Sequence, residues 1–162
     1  MRIGVIADTH VPTRARSVPD EVAAIFDGVD LILHAGDLEE KPVLEWLARI
    51  APVEAVLGNM DPPELEAELP VRRVVEAAGF RIGLVHGSGP PSKVPGRAVE
   101  AFAGETLDLI VYGHSHRPDS SVLEGRHIFN PGSPTDRLFA PYLSVGILTL
   151  DDGIIPEIVR IK

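Results

Sequence analysis

Five short apolar runs punctuate the first two-thirds of the chain, at residues 3–7, 31–33, 53–57, 82–85 and 109–112, and each is closed by a polar residue or glycine. Their length and their Val, Ile and Leu content are those of strands buried on both faces. Between them, residues 20–26, 43–50 and 97–102 carry helical periodicity: Val43, Leu47 and Ile50 share one face, with Pro42 near the first turn. Alternation of this kind predicts a largely parallel sheet with helices packed on it. The last third changes character. Residues 122–123 and 127–129 flank Glu124-Gly125-Arg126, and residues 143–150 and 154–161 flank Asp151-Asp152-Gly153, both hairpin signals. Pro156 predicts an edge position for its strand. Residues 71–76 and 80–85 around Ala78-Gly79 predict another hairpin, and Pro- and Gly-rich loops fall at 62–70, 87–96 and 131–141.

A chain of 162 residues without internal repeat or linker is expected to form one domain over 1–162. Cysteine is absent, which excludes disulfides, thiolate metal sites and a cysteine nucleophile. The net charge of −9 repels a polyanion over most of the surface, so general nucleic-acid binding is disfavoured. The N-terminal apolar run is halted by Asp8, too soon for a signal peptide, and no run approaches a membrane span. These features point to a cytoplasmic protein with no membrane partner, and they leave a homo-oligomer open. Glutamine is missing and asparagine occurs only at Asn59 and Asn130, which draws attention to those two amides.

The informative residues are those that end the apolar runs: Asp8-Thr9-His10, His34-Ala35-Gly36-Asp37, Gly58-Asn59-Met60-Asp61, His86-Gly87 and Gly113-His114-Ser115-His116. In open α/β sheets the carboxyl ends of the strands share one edge, and ligands sit there. Asp8, His10, Asp37, Asn59, His86, His114 and His116 therefore converge on one patch in this reading. A single strand-end Asp is ordinarily a turn or cap residue. Four of six histidines following apolar strands is harder to assign to chance. Seven oxygen and imidazole donors exceed the needs of one first-row ion and suit a pair about 3.5–4 Å apart sharing a carboxylate.

In this order, D-x-H, G-D, G-N-x-D, H-G and G-H-x-H resemble the calcineurin-like metallophosphoesterase superfamily, and the short length resembles its small YfcE-like phosphodiesterase branch. Asn130-Pro131-Gly132-Ser133 is similar to a further loop of that family. The resemblance implies a four-layer α-β-β-α sandwich of two mixed sheets. It implies that Asp8, His10, Asp37 and His116 hold one metal, that Asp37 bridges, and that Asn59, His86 and His114 complete the second, with Asp37, Asn59 and His86 at the centre of catalysis. It also implies a dinuclear phosphoesterase, foremost a phosphodiesterase, acting by in-line attack of metal-activated hydroxide on a small phosphate ester. Manganese is favoured as the metal, with Fe, Zn, Ni or Co open to the same donors. The chain departs from the superfamily twice. Met60 stands where many members carry the histidine that protonates the leaving group, as is common in the small branch, and Ser88 replaces a frequent second histidine.

Arg14, Ser88 and Arg137 lie in loops that could border the patch, and arginine matches phosphate geometrically. Arg16 and Arg117 share that position in loops, with a solvated surface role as the simpler reading. His34 and His127 read as structural, and Asp61 as orienting His10 or a water, or as a helix cap. Two alternatives to the enzyme stand: a protein-interaction scaffold like the retromer subunit of the superfamily, and a nuclease. The full donor set argues against the first, and the acidity against the second. The sequence does not name the substrate.

Overall fold

The apolar runs become strands in two separate sheets rather than one. The computed structural model describes residues 1–162. The first sheet contains β1 (Arg2–Ile6), β2 (Leu31–His34), β3 (Val53–Ala55), β9 (Ser144–Leu150) and β10 (Ile154–Arg160), in the order β10-β9-β1-β2-β3. The second contains β4 (Arg72–Ala77), β5 (Phe80–Val85), β6 (Leu109–Val111), β7 (Asp119–Leu123) and β8 (Arg126–Asn130), in the order β4-β5-β6-β8-β7. In the first sheet β1, β2 and β3 run parallel; in the second β5, β6 and β8 do. Hairpin partners add antiparallel strands at the margins: β9 and β10 to the first sheet, β4 and β7 to the second. All three expected hairpins form, and Pro156 lies on the edge strand β10.

Side-chain alternation along β1 explains the layering. Ile3, Val5 and Ala7 face the second sheet and pack with Leu84, Val111 and Phe129 in a core between the sheets. Ile6 faces the other way, into a core shared with α1 (Asp20–Ile25), α2 (Lys41–Leu47) and α3 (Pro63–Glu66). The outer face of the second sheet is covered by α4 (Val94–Glu100), whose Val94, Ala98 and Val99 pack with Phe102 and Tyr112. The result is helix, sheet, sheet, helix, the four layers expected.

Two of the expected loops hold helical turns: α3 lies within 62–70, and a 3-10 turn at Pro91–Lys93 leads into α4 within 87–96. Pro63 and Pro95 sit in the first turn of their helices, where the missing N–H costs nothing, so the prolines that suggest loops here start helices. No helix is long and apolar enough to cross a membrane.

The two sheets bring their parallel strands to a common end. β1 and β2 stay paired past their last residues, with Asp8 N donating to Gly36 O (3.0 Å) and His10 N to Asp37 O (3.1 Å). In the second sheet Gly113 N donates to His86 O (3.1 Å). The loops after β1, β2, β3, β5 and β6 thus meet over the seam between the sheets.

Candidate metal centre

Backbone conformation at this seam is unusual. Asp8, His10, Asp37, Glu39, His114 and His116 all have positive φ, between 42° and 73°. The two other non-glycine residues of that kind, Ala78 and Glu124, occupy hairpin turns. Left-handed backbone at a non-glycine residue costs about 1–3 kcal/mol and persists only where the surroundings enforce it. At the five of these that belong to the two groups below, it turns the side chain off the end of its strand toward one point, and at Glu39 it turns the side chain toward His10.

Asp8, His10 and His116 form one group able to hold an ion, and Asp37, His86 and His114 form a second. Each draws on both sheets. His10 Nε2 lies 3.1 Å from His116 Nε2, and His116 Nε2 lies 3.3 Å from Asp8 Oδ1. In the second group His86 Nε2 is 3.1 Å from Asp37 Oδ2, 3.3 Å from His114 Nδ1 and 3.1 Å from Asn59 Oδ1. Asp37 Oδ2 also lies 3.6 Å from His10 Nε2, so a single oxygen faces both groups. The seven residues expected to converge do so.

The tautomer of each imidazole follows from the partner on its other nitrogen. Glu39 Oε1 accepts from the Nδ1–H of His10 at 2.6 Å, and Asp136 Oδ2 accepts from that of His116. Ala35 O accepts from His86 Nδ1 at 2.7 Å, and Gly89 O accepts from His114 Nε2 at 3.0 Å. When neutral, His10 and His116 therefore direct two Nε2 lone pairs at one another, and His86 Nε2 and His114 Nδ1 do the same. Converging lone pairs repel unless a cation or proton lies between them. This donor set fits a metal in each group.

Without metal, the surroundings shift the groups in different directions. Burial pushes His86 down, but its hydrogen bond to Asp37 and the charges of Asp8 and Asp37 outweigh that and raise it to about 9. For His116, burial is likewise outweighed by Asp8 and Asp136, and its pKa rises. His114 moves down through burial and the neighbouring His86 charge. Burial opposes ionisation of Asp37, yet the His86 hydrogen bond and charge hold its carboxyl below the usual range.

The carboxylates are held from the backbone. His114 N donates to Asp8 Oδ2 at 2.9 Å, and Met60 N donates to Asp37 Oδ1 at 2.8 Å, which leaves Oδ2 for the two groups. Gly58 is required by proximity: a Cβ there would stand 2.1 Å from Asp37 Oδ1 and 2.2 Å from Asp37 N. Asp61 accepts from Gly58 N (2.7 Å), Glu39 N (2.8 Å) and Asp37 N (3.1 Å). It therefore staples the loops after β2 and β3 together; it neither caps α3 nor touches His10, both of which the sequence suggested. Burial raises its pKa.

Asn130 is structural. Its Nδ2 donates to Gly113 O and Ser115 Oγ, and its Oδ1 accepts from Gly132 N, so it braces the loop that carries His114 and His116. Ser133 Oγ donates to Asp8 O at 2.7 Å, and Thr135 Oγ1 to Thr9 O at 2.8 Å, lacing the 131–136 segment over the loop after β1. His34 is buried among these loops. Gly36 N donates to its Nδ1, so its Nε2 carries the proton toward Thr9 Oγ1. Burial and the His86 charge press its pKa down to about 3. The structural reading of His34 stands.

Of the substrate residues suggested by the sequence, Ser88 lines a cavity beside Asn59 and His86. Arg14 lies 5.3 Å over the ring of Phe139, which stands 6.4 Å from His116. Arg137 is exposed, and no hydrogen bond or ion pair joins it to the groups. Glu39 and Asp136 were not foreseen. Each is an acidic residue one or a few positions beyond a recognisable motif, and only the fold reveals which nitrogen it faces.

A sequence model of the calcineurin-like phosphoesterase superfamily domain matches residues 1–153, and the chain belongs to that superfamily. A probable metallophosphoesterase of Methanothermobacter thermautotrophicus is 42% identical, covering 99% of this chain and 92% of its own. Among solved structures, Chaetomium thermophilum Vps29 matches with a TM-score of 0.80 at 21% identity, over 99% of this chain and 93% of that one. A structure described as a novel archaeal phosphodiesterase matches with a TM-score of 0.79 at 20% identity, over 99% and 100%. Likeness at these identities establishes the shared fold.

Proposed function

We propose that the chain is a phosphodiesterase working with two divalent cations, one held by Asp8, His10 and His116 and the other by Asp37, His86, His114 and Asn59. The observation that carries this reading is the two pairs of converging imidazole nitrogens with Asp37 Oδ2 facing both. When bound, such cations acidify water and neutralise charge on a phosphoryl oxygen. The donor chemistry, imidazole and oxygen without thiolate, suits Mn, Fe, Co, Ni or Zn, and manganese is the expectation carried over from the family.

The chain's own residues then have distinct tasks. Asp37 ties the two positions together through one oxygen while Met60 N fixes the other. Glu39, Asp136, Ala35 O and Gly89 O hold four imidazoles in the tautomer that presents a lone pair. Asn59 adds a neutral oxygen without adding charge. No residue at position 60 supplies a proton to the leaving group: the Met60 thioether is exposed and has none to give. The reading therefore favours esters whose leaving group departs as a stable anion. The preference for a diester draws support from the archaeal phosphodiesterase that shares the fold.

Metal-depleted protein reloaded with Mn²⁺ should release nitrophenolate from bis(4-nitrophenyl) phosphate, and chelator should stop it. Absence of hydrolysis with all five metals, across aryl diesters, monoesters and cyclic nucleotides, would sink the proposal.

A further inference from the structure

Beside Asn59 and His86 lies a cavity of about 330 Å³ that the metal-holding residues only border. Its walls are mostly apolar, from Leu57, Val71, Val85 and Ala101, and its one arginine or lysine is Arg97 of α4. This is the low end of the size range for small-molecule sites and matches the usual pattern of an apolar lining with few polar groups.

Arg97 shares the lack of an ion pair with most of the basic residues; what sets it apart is where it is held. The ion pairs of Lys41, Arg72, Arg73 and Arg81 use Glu68, Glu105, Glu54 and Glu76, and Arg97 enters none. Its Nη1 donates to Ser88 Oγ at 3.3 Å, a long bond to a neutral acceptor. A guanidinium offers five N–H donors in a fixed fork, so most remain free. Its position is nevertheless defined. Gly89 has φ of +81°, and a Cβ there would stand 2.1 Å from Arg97 Nη1, so the guanidinium rests on the bare backbone of the loop that also accepts His114 Nε2. Arg97 also lines a second, outer hollow with Lys93, Glu100 and Arg126, which contains no residue of the metal groups. It thus lines both hollows, one loop removed from His114. In a chain of net charge −9, an unpaired cation held at that point attracts an anion.

We propose that Arg97 is a specificity-determining residue: the cavity takes one ester substituent of a phosphodiester, and Arg97 binds an anionic group, carboxylate or phosphate, carried on that substituent. This rests on the phosphodiesterase reading. The compact volume admits a substituent of about one ring or a short chain, with its apolar stem along Leu57, Val71 and Val85 and its charge at the guanidinium. Ser88 sets the orientation of the fork rather than meeting the reacting phosphoryl group.

The test is a set of 4-nitrophenyl phosphodiesters whose second substituent is propyl, 2-carboxyethyl or 2-phosphonoethyl, hydrolysed by the Mn²⁺-loaded protein. At an exposed guanidinium, where solvent screens the pairing, a charge-assisted hydrogen bond predicts a KM about 2–5-fold lower for one or both anionic esters than for the propyl ester. Which of the two gains more separates a carboxylate from a phosphate as the natural group. Arg97→Ala should erase that preference, Arg97→Lys should keep part of it, and kcat should change far less than KM. Equal KM for all three esters in the unaltered protein, or an equal loss on all three in Arg97→Ala, overturns the proposal. The second result would mark Arg97 as a support for the loop that holds His114. Calorimetric titration with non-hydrolysable phosphonate analogues of the propyl and carboxyethyl esters gives a readout independent of turnover. If no ester is hydrolysed, the phosphodiesterase reading fails by itself. The titration then still decides for Arg97: a carboxylate preference lost in Arg97→Ala sustains it, and none refutes it.

Discussion

Asp136 and Glu39 act on the site without being aimed into it. Each accepts a hydrogen bond from the Nδ1–H of an imidazole, on the side that faces away from the metal position, and so keeps the proton there. Asp136 also accepts from Leu138 N and Phe139 N, so one carboxylate fixes both His116 and the rim beside it. Loss of such an outer partner typically lowers metal affinity about 10–100-fold. Asp136→Asn should show that loss when metal-free protein is titrated with Mn²⁺. Asp37→Asn removes the oxygen facing both groups and should lower kcat by at least about 10³-fold, whereas exposed His127→Ala should change little. Met60 makes a different prediction. General-acid assistance is worth about 10²–10⁴-fold, and its absence is felt most by basic leaving groups. A plot of log kcat against leaving-group pKa for aryl and alkyl diesters should fall steeply. A level plot without a pre-steady-state burst would show that another group delivers the proton. The seven converging donors were legible in the sequence because each ends an apolar run. Glu39, Asp136 and Arg97 were not, because an isolated acidic or basic residue in a loop or on a short helix reads as solvated surface until the fold brings its partner to it.

At the level of elements, the strand runs, the three hairpins and the edge position of Pro156 follow from apolar length, Gly-containing turns and the missing proline N–H. The division of the parallel strands between two sheets does not follow from those patterns. Buried strands of either sheet look alike in sequence, and only the family resemblance supplied the layering. The β4–β5 hairpin carries a correctable imperfection. Ala78 is exposed and has φ of +48° ahead of Gly79, a position that asparagine tolerates better than alanine. Ala78→Asn should stabilise the protein by about 0.5–1 kcal/mol, read as a rise in Tm with activity unaltered. The same kind of backbone at Asp8, Asp37 or His116 cannot be relaxed so freely, since those side chains supply the site.

For the whole molecule, the titrating groups set a maximum in stability. His34 stays neutral in the fold down to about pH 3, while in the unfolded chain it ionises near 6.5. Its contribution is complete above 6.5 and is lost as pH falls toward 3. His86 has the opposite sign: raised to about 9, it contributes fully below 6.5, and that contribution is lost as pH rises through 9. His114 shares the sign of His34, and His116 that of His86. Asp37 and Asp136 add to the acid loss only below the ordinary carboxylate range. In chelator, Tm against pH should therefore peak near 6.5. Saturating metal should remove the alkaline decline, because the ion replaces the proton on His86. A monotonic profile in chelator would contradict these assignments. The placement of the two groups has a mechanical corollary. Asp8 and His116 belong to different sheets, as do Asp37 and His86, and His10 lies 106 positions from His116 in the chain. An ion held in the first group would close a loop of that order, one held in the second a shorter loop, and either would tie one layer to the other, as a disulfide does in chains that have cysteine. Such a tie is one that a chelator can cut and a dissolved salt can restore.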